Sequence, residues 1–152
     1  MIRISLNQID AIKQLTGANV KLSKKQREEL KQKYGGNCAY CGCELGDKWH
    51  ADHIEAVKRD IIHVGGGKLI SGEMTRPHLD TIENMNPACV PCNSNKSSMS
   101  LKSWRSLLTH YRDVQLLRDS THARHLQRFG LLEIKSDPVI FYFERYDKNA
   151  NT

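Results

Sequence analysis

The sequence predicts a small α+β protein. Apolar residues recur with helical spacing in several segments and alternate with polar residues in shorter ones. Two pairs of cysteines, Cys38 with Cys41 and Cys89 with Cys92, enclose the middle of the chain. A length of 152 residues favours one domain, so we treat 1–152 as a single unit.

The N-terminal part is predicted to be mainly helical after a short opening strand. Residues 2–6 alternate between apolar and polar, which is typical of a strand, and residues 9–15 follow helical spacing. A second helix has clearer boundaries. Ser23 and Gln26 have the spacing of a capping box, and Gly35-Gly36 mark the helix end.

The middle of the chain predicts two short strands separated by a long loop. Residues 48–52 form the first strand and residues 81–85 the returning one. Glycine and proline interrupt residues 58–80, so we expect no regular element there. A loop of that length in a compact domain is usually functional or mobile. Residues 93–99 should begin a helix.

The C-terminal part predicts two helices and a β-hairpin. Ser100 can cap a helix whose buried stripe contains Trp104, and a shorter basic helix covers 121–129. Two apolar runs, 131–135 and 139–145, flank a turn that contains proline, which is the pattern of a hairpin.

Composition narrows the class of protein. The net charge of +6 is compatible with nucleic-acid binding, although an ordinary solvated surface explains it equally well. No apolar run approaches the roughly 20 residues that span a bilayer, so we expect no membrane partner. The N-terminus has no long apolar segment of the secretory type. We therefore expect a cytoplasmic, reducing compartment, where paired cysteines more often hold metal than form disulfides.

The four paired cysteines predict a structural zinc site. Zinc takes four ligands in a tetrahedron, and two residues between paired cysteines let one tight turn present both thiolates to one ion. Two disulfides or four unrelated thiols are the alternatives, and the doubled spacing favours zinc over both. The fifth cysteine, Cys43, lies too close to Cys41 to share its geometry easily, so we expect a free thiol.

An acid, a histidine and an amide lie inside this frame. Hydrolysis of a phosphodiester needs a water made nucleophilic, and histidine can take the proton of that water. A hard divalent cation can stabilise charge on the phosphate and the departing oxygen. Magnesium prefers oxygen ligands and keeps several waters, so one carboxylate and one amide suffice. Asp52, His53 and Asn93 are the residue types that this chemistry requires.

Residues 52–54 and 83–96 together resemble the HNH endonuclease family. The closest likeness is to the branch whose ββα-metal core is held by two zinc-binding CxxC knuckles, and it covers about 37–104. Outside that segment, the patterns described above predict an N-terminal helical extension over 1–36 and a C-terminal helix and hairpin over 105–147. The resemblance implies cleavage of DNA, most naturally double-stranded, with 5′-phosphate and 3′-hydroxyl ends.

The resemblance assigns roles to individual residues. His53 would be the general base, and Asp52 and Asn93 would hold one catalytic Mg²⁺ or Mn²⁺ ion. Asn84 would brace the loop between the strands and orient the base. The structural Zn²⁺ would be held by the four paired cysteines, Cys38, Cys41, Cys89 and Cys92. Lys96 is a candidate phosphate contact, and a solvated charge is an equally good interpretation.

Two features depart from the family pattern, and one geometric condition must be met. Ala56 stands where a proline is common, and the 58–80 loop is longer than usual. Neighbouring residues on a strand point to opposite faces, so the strand must end or bulge at Asp52 if Asp52 and His53 serve one site.

Two other functions remain open. One is a zinc-stabilised nucleic-acid-binding module in which Asp52 and His53 are structural. The other is a packaging partner of a larger nucleic-acid machine, whose nuclease centre is silent until it docks. The oligomeric state and the target sequence do not follow from these residues.

Overall fold

The computed structural model describes residues 21–64 and 66–147. These residues form helices and two small antiparallel sheets of two strands each, which confirms the α+β class. The strand and helix expected within 2–15 lie outside the described residues. Among the described helices, none combines the length and the apolar character needed to cross a bilayer.

The strands are β1 (Trp49–His53), β2 (Arg59–His63), β3 (Leu69–Met74) and β4 (Met85–Cys89). The helices are α1 (Lys24–Gln32), α2 (Val90–Lys96), α3 (Leu101–His110), α4 (Leu116–Asp119), α5 (Thr121–Arg128) and α6 (Tyr142–Arg145). A π-helical segment, Tyr111–Gln115, joins α3 to α4, and short 3₁₀ turns cover Pro77–Leu79 and Ile82–Asn84. The capping box of Ser23 and Gln26 forms as predicted.

The β1–β4 hairpin and the helix that follows it position the candidate site. The two strands pair without interruption, from Trp49 opposite Cys89 to His53 opposite Met85. Helix α2 begins directly after β4, with Pro91 in its first turn, where the missing N–H costs nothing. The returning strand therefore starts at Met85, later than expected, because a 3₁₀ turn occupies the residues before it.

The expectation of an irregular loop over 58–80 is wrong. Strands β2 and β3 form a second antiparallel hairpin, in which Ile62 pairs with Ile70. Gly66 and Gly67 adopt φ values of 59° and 74° at its tip, a left-handed conformation that glycine tolerates. The glycines thus make the turn of a hairpin and do not prevent one.

The predicted C-terminal β-hairpin is also wrong. Residues 131–141 form no strand, and a short helix, α6, follows them. The segment attaches instead to the first cysteine turn, because the Tyr142 N–H donates to the Tyr40 carbonyl (2.9 Å) and the Phe143 N–H donates to the Ala39 carbonyl (2.8 Å). In this position Phe141 is buried in the core.

An aromatic cluster joins three parts of the chain. Trp104 of α3 stacks on Phe141, with ring centroids 5.0 Å apart, and meets the edge of Tyr40 at 5.1 Å. Its indole N–H donates to the Asn95 side chain at 2.6 Å, so the buried polar atom is satisfied. The cluster attaches α3 and the C-terminal segment to the turn that carries the first cysteine pair.

We expect Trp104→Ala to lower the free energy of unfolding by about 3–5 kcal/mol, because it empties the centre of this cluster. Urea denaturation of the metal-loaded protein measures the loss. Phe129→Ala is the matched control, since that ring is 77% exposed, and it should stay within about 0.5 kcal/mol of the parent. Equal losses in the two variants would contradict the described core.

Candidate metal centre and the adjoining cleft

The four paired cysteines come together at one end of the β1–β4 hairpin. Their sulfur atoms all lie within 4.8 Å of one another, and the Sγ atoms of Cys41 and Cys89 are 3.8 Å apart. A tetrahedron with Zn–S bonds of about 2.3 Å has edges of about 3.8 Å. The cluster could therefore hold a metal ion, and its geometry is consistent with the predicted structural zinc. All five cysteines are free of disulfide bonds.

Local backbone geometry builds each half of this cluster. In the first turn, the Cys38 N–H donates to the Cys43 carbonyl (2.8 Å) and the Gly42 N–H donates to the Cys38 carbonyl (2.9 Å). Gly42 has φ = 79°, a left-handed conformation that favours glycine. The second pair lies at the junction of β4 and α2, where Cys89 is the N-cap residue and Cys92 lies in the first helical turn.

Hydrogen bonds within the cluster favour a thiolate at Cys38. The Cys92 thiol donates a hydrogen bond to Cys38, and backbone N–H groups add to this, so the pKa of Cys38 falls well below its usual value. The same hydrogen bond raises the pKa of Cys92. Desolvation and the neighbouring Cys41 raise the pKa of Cys43 to about 12, so Cys43 stays protonated outside the cluster.

Asp52 points into the interior of the protein. The Tyr40 hydroxyl donates to its Oδ2 atom, and the Lys96 ammonium lies 2.9 Å from the same oxygen. The Lys96 side chain is 0% exposed and that of Asp52 is 6% exposed. Lys96 also donates to the His53 backbone carbonyl at 2.6 Å. Burial and the charge of Asp52 raise the pKa of Tyr40, which keeps the phenol protonated as a donor.

Strand β1 continues regularly through Asp52 and His53, so the expected end or bulge at Asp52 is absent. The two side chains therefore lie on opposite faces of the strand, and the structure does not bring them together. Lys96 is not the solvated charge that was one interpretation of the sequence, and its full burial against Asp52 leaves no place for a phosphate contact, which was the other. Burial of a carboxylate requires a compensating partner, and Lys96 supplies it.

His53 faces a cleft of about 480 Å³ and pairs with a carboxylate that the sequence did not indicate. Its Nε2 atom lies 2.8 Å from Oδ1 of Asp80, whose side chain is buried, while 21% of the histidine side chain is exposed. Arg27, Trp49 and His50 line the same cleft. Asp80 lies 27 residues along the chain, after the second hairpin, so no spacing pattern pointed to it.

Asn84 fastens the segment after β1 to the turn that carries Asp80. Its side-chain amide donates to the carbonyls of Glu55 and Leu79, both at 2.8 Å, and its Oδ1 atom accepts from the Glu55 N–H at 3.0 Å. The Asn84 carbonyl accepts from the Ile54 N–H at 2.8 Å. Asn84 thus braces the chain on both sides of the His53–Asp80 pair, while its effect on catalysis stays a prediction.

Asn93 lies in α2, next to Cys92, and is half-buried. In the part of the chain that the structure describes, its side chain makes no hydrogen bond to Asp52 or His53. Asp52, His53 and Asn93 were expected around one cation. Of these three, only His53 faces the cleft, where the carboxylate of Asp80 lies beside it.

Comparison of the chain with protein-family models, with curated proteins and with solved structures finds no match. The chain's own residues and geometry therefore carry the functional interpretation. Their two distinctive features are the four-thiolate cluster and the cleft that contains the His53–Asp80 pair.

We expect one zinc ion per chain and its loss in Cys92→Ser, because a hydroxyl is a poor replacement for a thiolate ligand. Metal analysis of the purified proteins measures the stoichiometry, and cobalt substitution reports thiolate coordination by its absorption spectrum. Cys43→Ser is the control and should keep the metal. Zinc bound equally by the Cys92→Ser protein would contradict the four-cysteine site.

We expect Lys96→Met to lower the free energy of unfolding by about 3–5 kcal/mol, because it leaves the Asp52 charge buried without a partner. Adding Asp52→Asn removes that charge and keeps an acceptor for Tyr40, so the double variant should regain at least about 1 kcal/mol. Urea denaturation of the single and double variants measures this coupling. Strictly additive losses would show that the pair is not coupled.

Proposed function

We propose that this protein is an endonuclease that hydrolyses phosphodiester bonds of DNA, with His53 as the general base. The observation that supports this most directly is the His53–Asp80 pair, since a carboxylate orients an imidazole at the edge of an open cleft. A base held by a third group is the arrangement that activates a nucleophile in many hydrolases. A purely structural histidine has no need for such a cleft.

The proposed reaction assigns one proton transfer to the pair. Asp80 accepts a hydrogen bond from the protonated Nε2 atom of His53, which leaves Nδ1 to take a proton from water. The water oxygen then bonds to phosphorus while the bond to the 3′ oxygen breaks, and the departing oxygen takes a proton from solvent. Asp80 stabilises the imidazolium that forms, and the products have 5′-phosphate and 3′-hydroxyl ends, as the family resemblance implies.

The order of elements supports an HNH-type ββα-metal core. Strands β1 and β4 pair antiparallel, α2 follows at once, and the four cysteines lie at the junction of strand and helix. Asn84 makes bracing contacts of the kind that the resemblance implies. The metal in the cysteine cluster would be a structural Zn²⁺ ion.

The described residues do not fit a catalytic Mg²⁺ or Mn²⁺ ion at Asp52 and Asn93. The Oδ2 atom of Asp52 already binds the Lys96 ammonium and the Tyr40 hydroxyl, and a cation at that atom would have to displace Lys96. We therefore assign no step of the reaction to such an ion. Dependence on a divalent cation stays a prediction of the resemblance, and the cleavage assay tests it directly.

DNA is the proposed substrate because basic side chains border the site. Arg27 lines the cleft that contains His53. Lys58 and Arg76 line a second cleft of about 580 Å³, which is also lined by Ile54, the residue after His53. The net charge of +6 agrees with a polyanionic partner. Contacts of this kind fix the position of a duplex and carry no sequence information.

We expect His53→Ala to slow the nicking of supercoiled plasmid by about 10²–10⁴-fold, because it removes the general base. Gel electrophoresis of zinc-loaded protein, with and without added Mg²⁺ or Mn²⁺, measures the rate. Asp80→Asn should give an intermediate rate. His63→Ala, an exposed histidine on β2, is the control and should cleave as the parent does. Equal cleavage by the parent and by His53→Ala would overturn the proposal.

A zinc-stabilised nucleic-acid-binding module is the second candidate. The ion pair of Asp52 with Lys96 favours it, because that pair gives Asp52 a structural role. This function predicts binding that weakens steeply with salt and no turnover under any of the assay conditions. Cleavage that appears only with an added protein would favour a packaging partner instead.

A further inference from the structure

Arg27 of α1 lies in the cleft that contains His53 and Asp80. Its Nη2 atom donates to the Trp49 backbone carbonyl at 2.8 Å, and its Cζ atom lies 4.1 Å from the centroid of the Trp49 ring. One hydrogen bond and one cation–π contact therefore hold the guanidinium plane over the ring. This arginine lies outside the 37–104 segment to which the HNH resemblance applies.

The guanidinium keeps most of its donors for a ligand. It has five N–H groups, and the described contacts use one of them on the Trp49 carbonyl. Within 21–64 and 66–147, no carboxylate forms an ion pair with Arg27. The carboxylate that lines the cleft, Asp80, is engaged by His53. Among the described residues this fixed fork has no carboxylate partner, and its geometry suits the oxygens of a phosphate.

The positions of Trp49 and His53 along β1 determine how far Arg27 lies from the proposed base. Trp49 and His53 are four residues apart on one strand, so they lie on the same face. At a rise of about 3.3 Å per residue they are separated by about 13 Å along the strand. A phosphate that meets the guanidinium is therefore a different phosphate from the one beside His53.

We propose that Arg27, stacked on Trp49, binds a phosphate of the DNA strand next to, or beyond, the phosphate that the water activated by His53 attacks. This inference rests on the proposed function and adds to it a second phosphate contact on the N-terminal helix. The contact positions the backbone, so its removal weakens binding without changing the chemistry of the bond that is cut.

The test uses the inactive His53→Ala protein, full-length and zinc-loaded, with a short fluorescent DNA duplex. Anisotropy titrations at several KCl concentrations give the slope of log K against log salt. Adding Arg27→Ala should raise the Kd and reduce the magnitude of the slope by about 0.9, the value for one lost phosphate contact. Arg27→Lys keeps the charge and loses the stacked fork, so it should keep the slope and still raise the Kd.

Lys25→Ala is the matched control on the same helix. Its ammonium pairs with Glu29 at 3.8 Å and is 86% exposed, so its removal should leave the slope unchanged. An equal decrease in slope for Lys25→Ala and Arg27→Ala would show diffuse attraction and overturn the site. An unchanged slope and Kd in Arg27→Ala, with its zinc content intact, would overturn it as well.

Cleavage by the otherwise unaltered protein separates this inference from the proposed function. Arg27→Ala should raise the KM for nicking with little change in kcat, because the contact exists before and during the reaction. If the parent protein does not nick DNA, the nuclease proposal fails, while the salt slope still decides whether Arg27 binds phosphate. If the parent nicks DNA and Arg27→Ala matches it in both KM and slope, the nuclease proposal stands and the Arg27 site fails.

Discussion

The buried pair of Lys96 with Asp52 is the contact on which the geometry of the site depends. One ammonium, fully removed from solvent, binds the carboxylate of β1 and the backbone carbonyl of the next residue, His53. Two contacts from a single cation to adjacent residues hold the end of strand β1 in place. A buried charge that lost its partner would destabilise the fold strongly, so this orientation tolerates little change.

The ion pair and the cysteine cluster hold α2 against the hairpin at its two ends. Cys92 lies in the first turn of α2 and Lys96 ends the helix, so the two contacts are about 6 Å apart along the helix axis. A metal ion in the cluster would tie the start of the helix to the first cysteine turn. The ion pair ties the end of the helix to β1. A seven-residue helix has little stability of its own, so these two attachments are what keep it in place.

The inward direction of Asp52 decides what the outer face of β1 can do. Trp49, His50, Ala51 and His53 of β1 line the cleft, and the 3₁₀ turns after β3 bring Asp80 to the histidine. Arg27 reaches the same face from α1. The groups proposed for acid–base chemistry and phosphate binding are thereby separated from the buried charges of Asp52 and Lys96. Asp52 also balances the positive charge of Lys96, so this charge has little effect on the groups in the cleft.

Local sequence signals were enough for the elements that depend on local physics. The spacing of the four cysteines predicted their cluster, Ser23 and Ser100 predicted helix starts, and the strand predicted over 48–52 matches β1 within one residue at each end. In each case the backbone geometry follows from a few neighbouring residues. The glycines and proline of 58–80 led to the wrong prediction of an irregular loop, because their spacing does not distinguish the tip of a hairpin from an open loop.

Tertiary structure decided the direction and the partners of the site residues. The sequence placed Asp52 beside His53, but the regular pairing of β1 with β4 sent the two side chains to opposite faces. Asp80 meets His53 because of the path of the second hairpin, and Phe141 is buried in the core and not in the expected strand. The identity of the four clustered cysteines could be predicted from the sequence alone. The partners of His53 could not, because they are selected by burial and strand register between residues far apart in sequence.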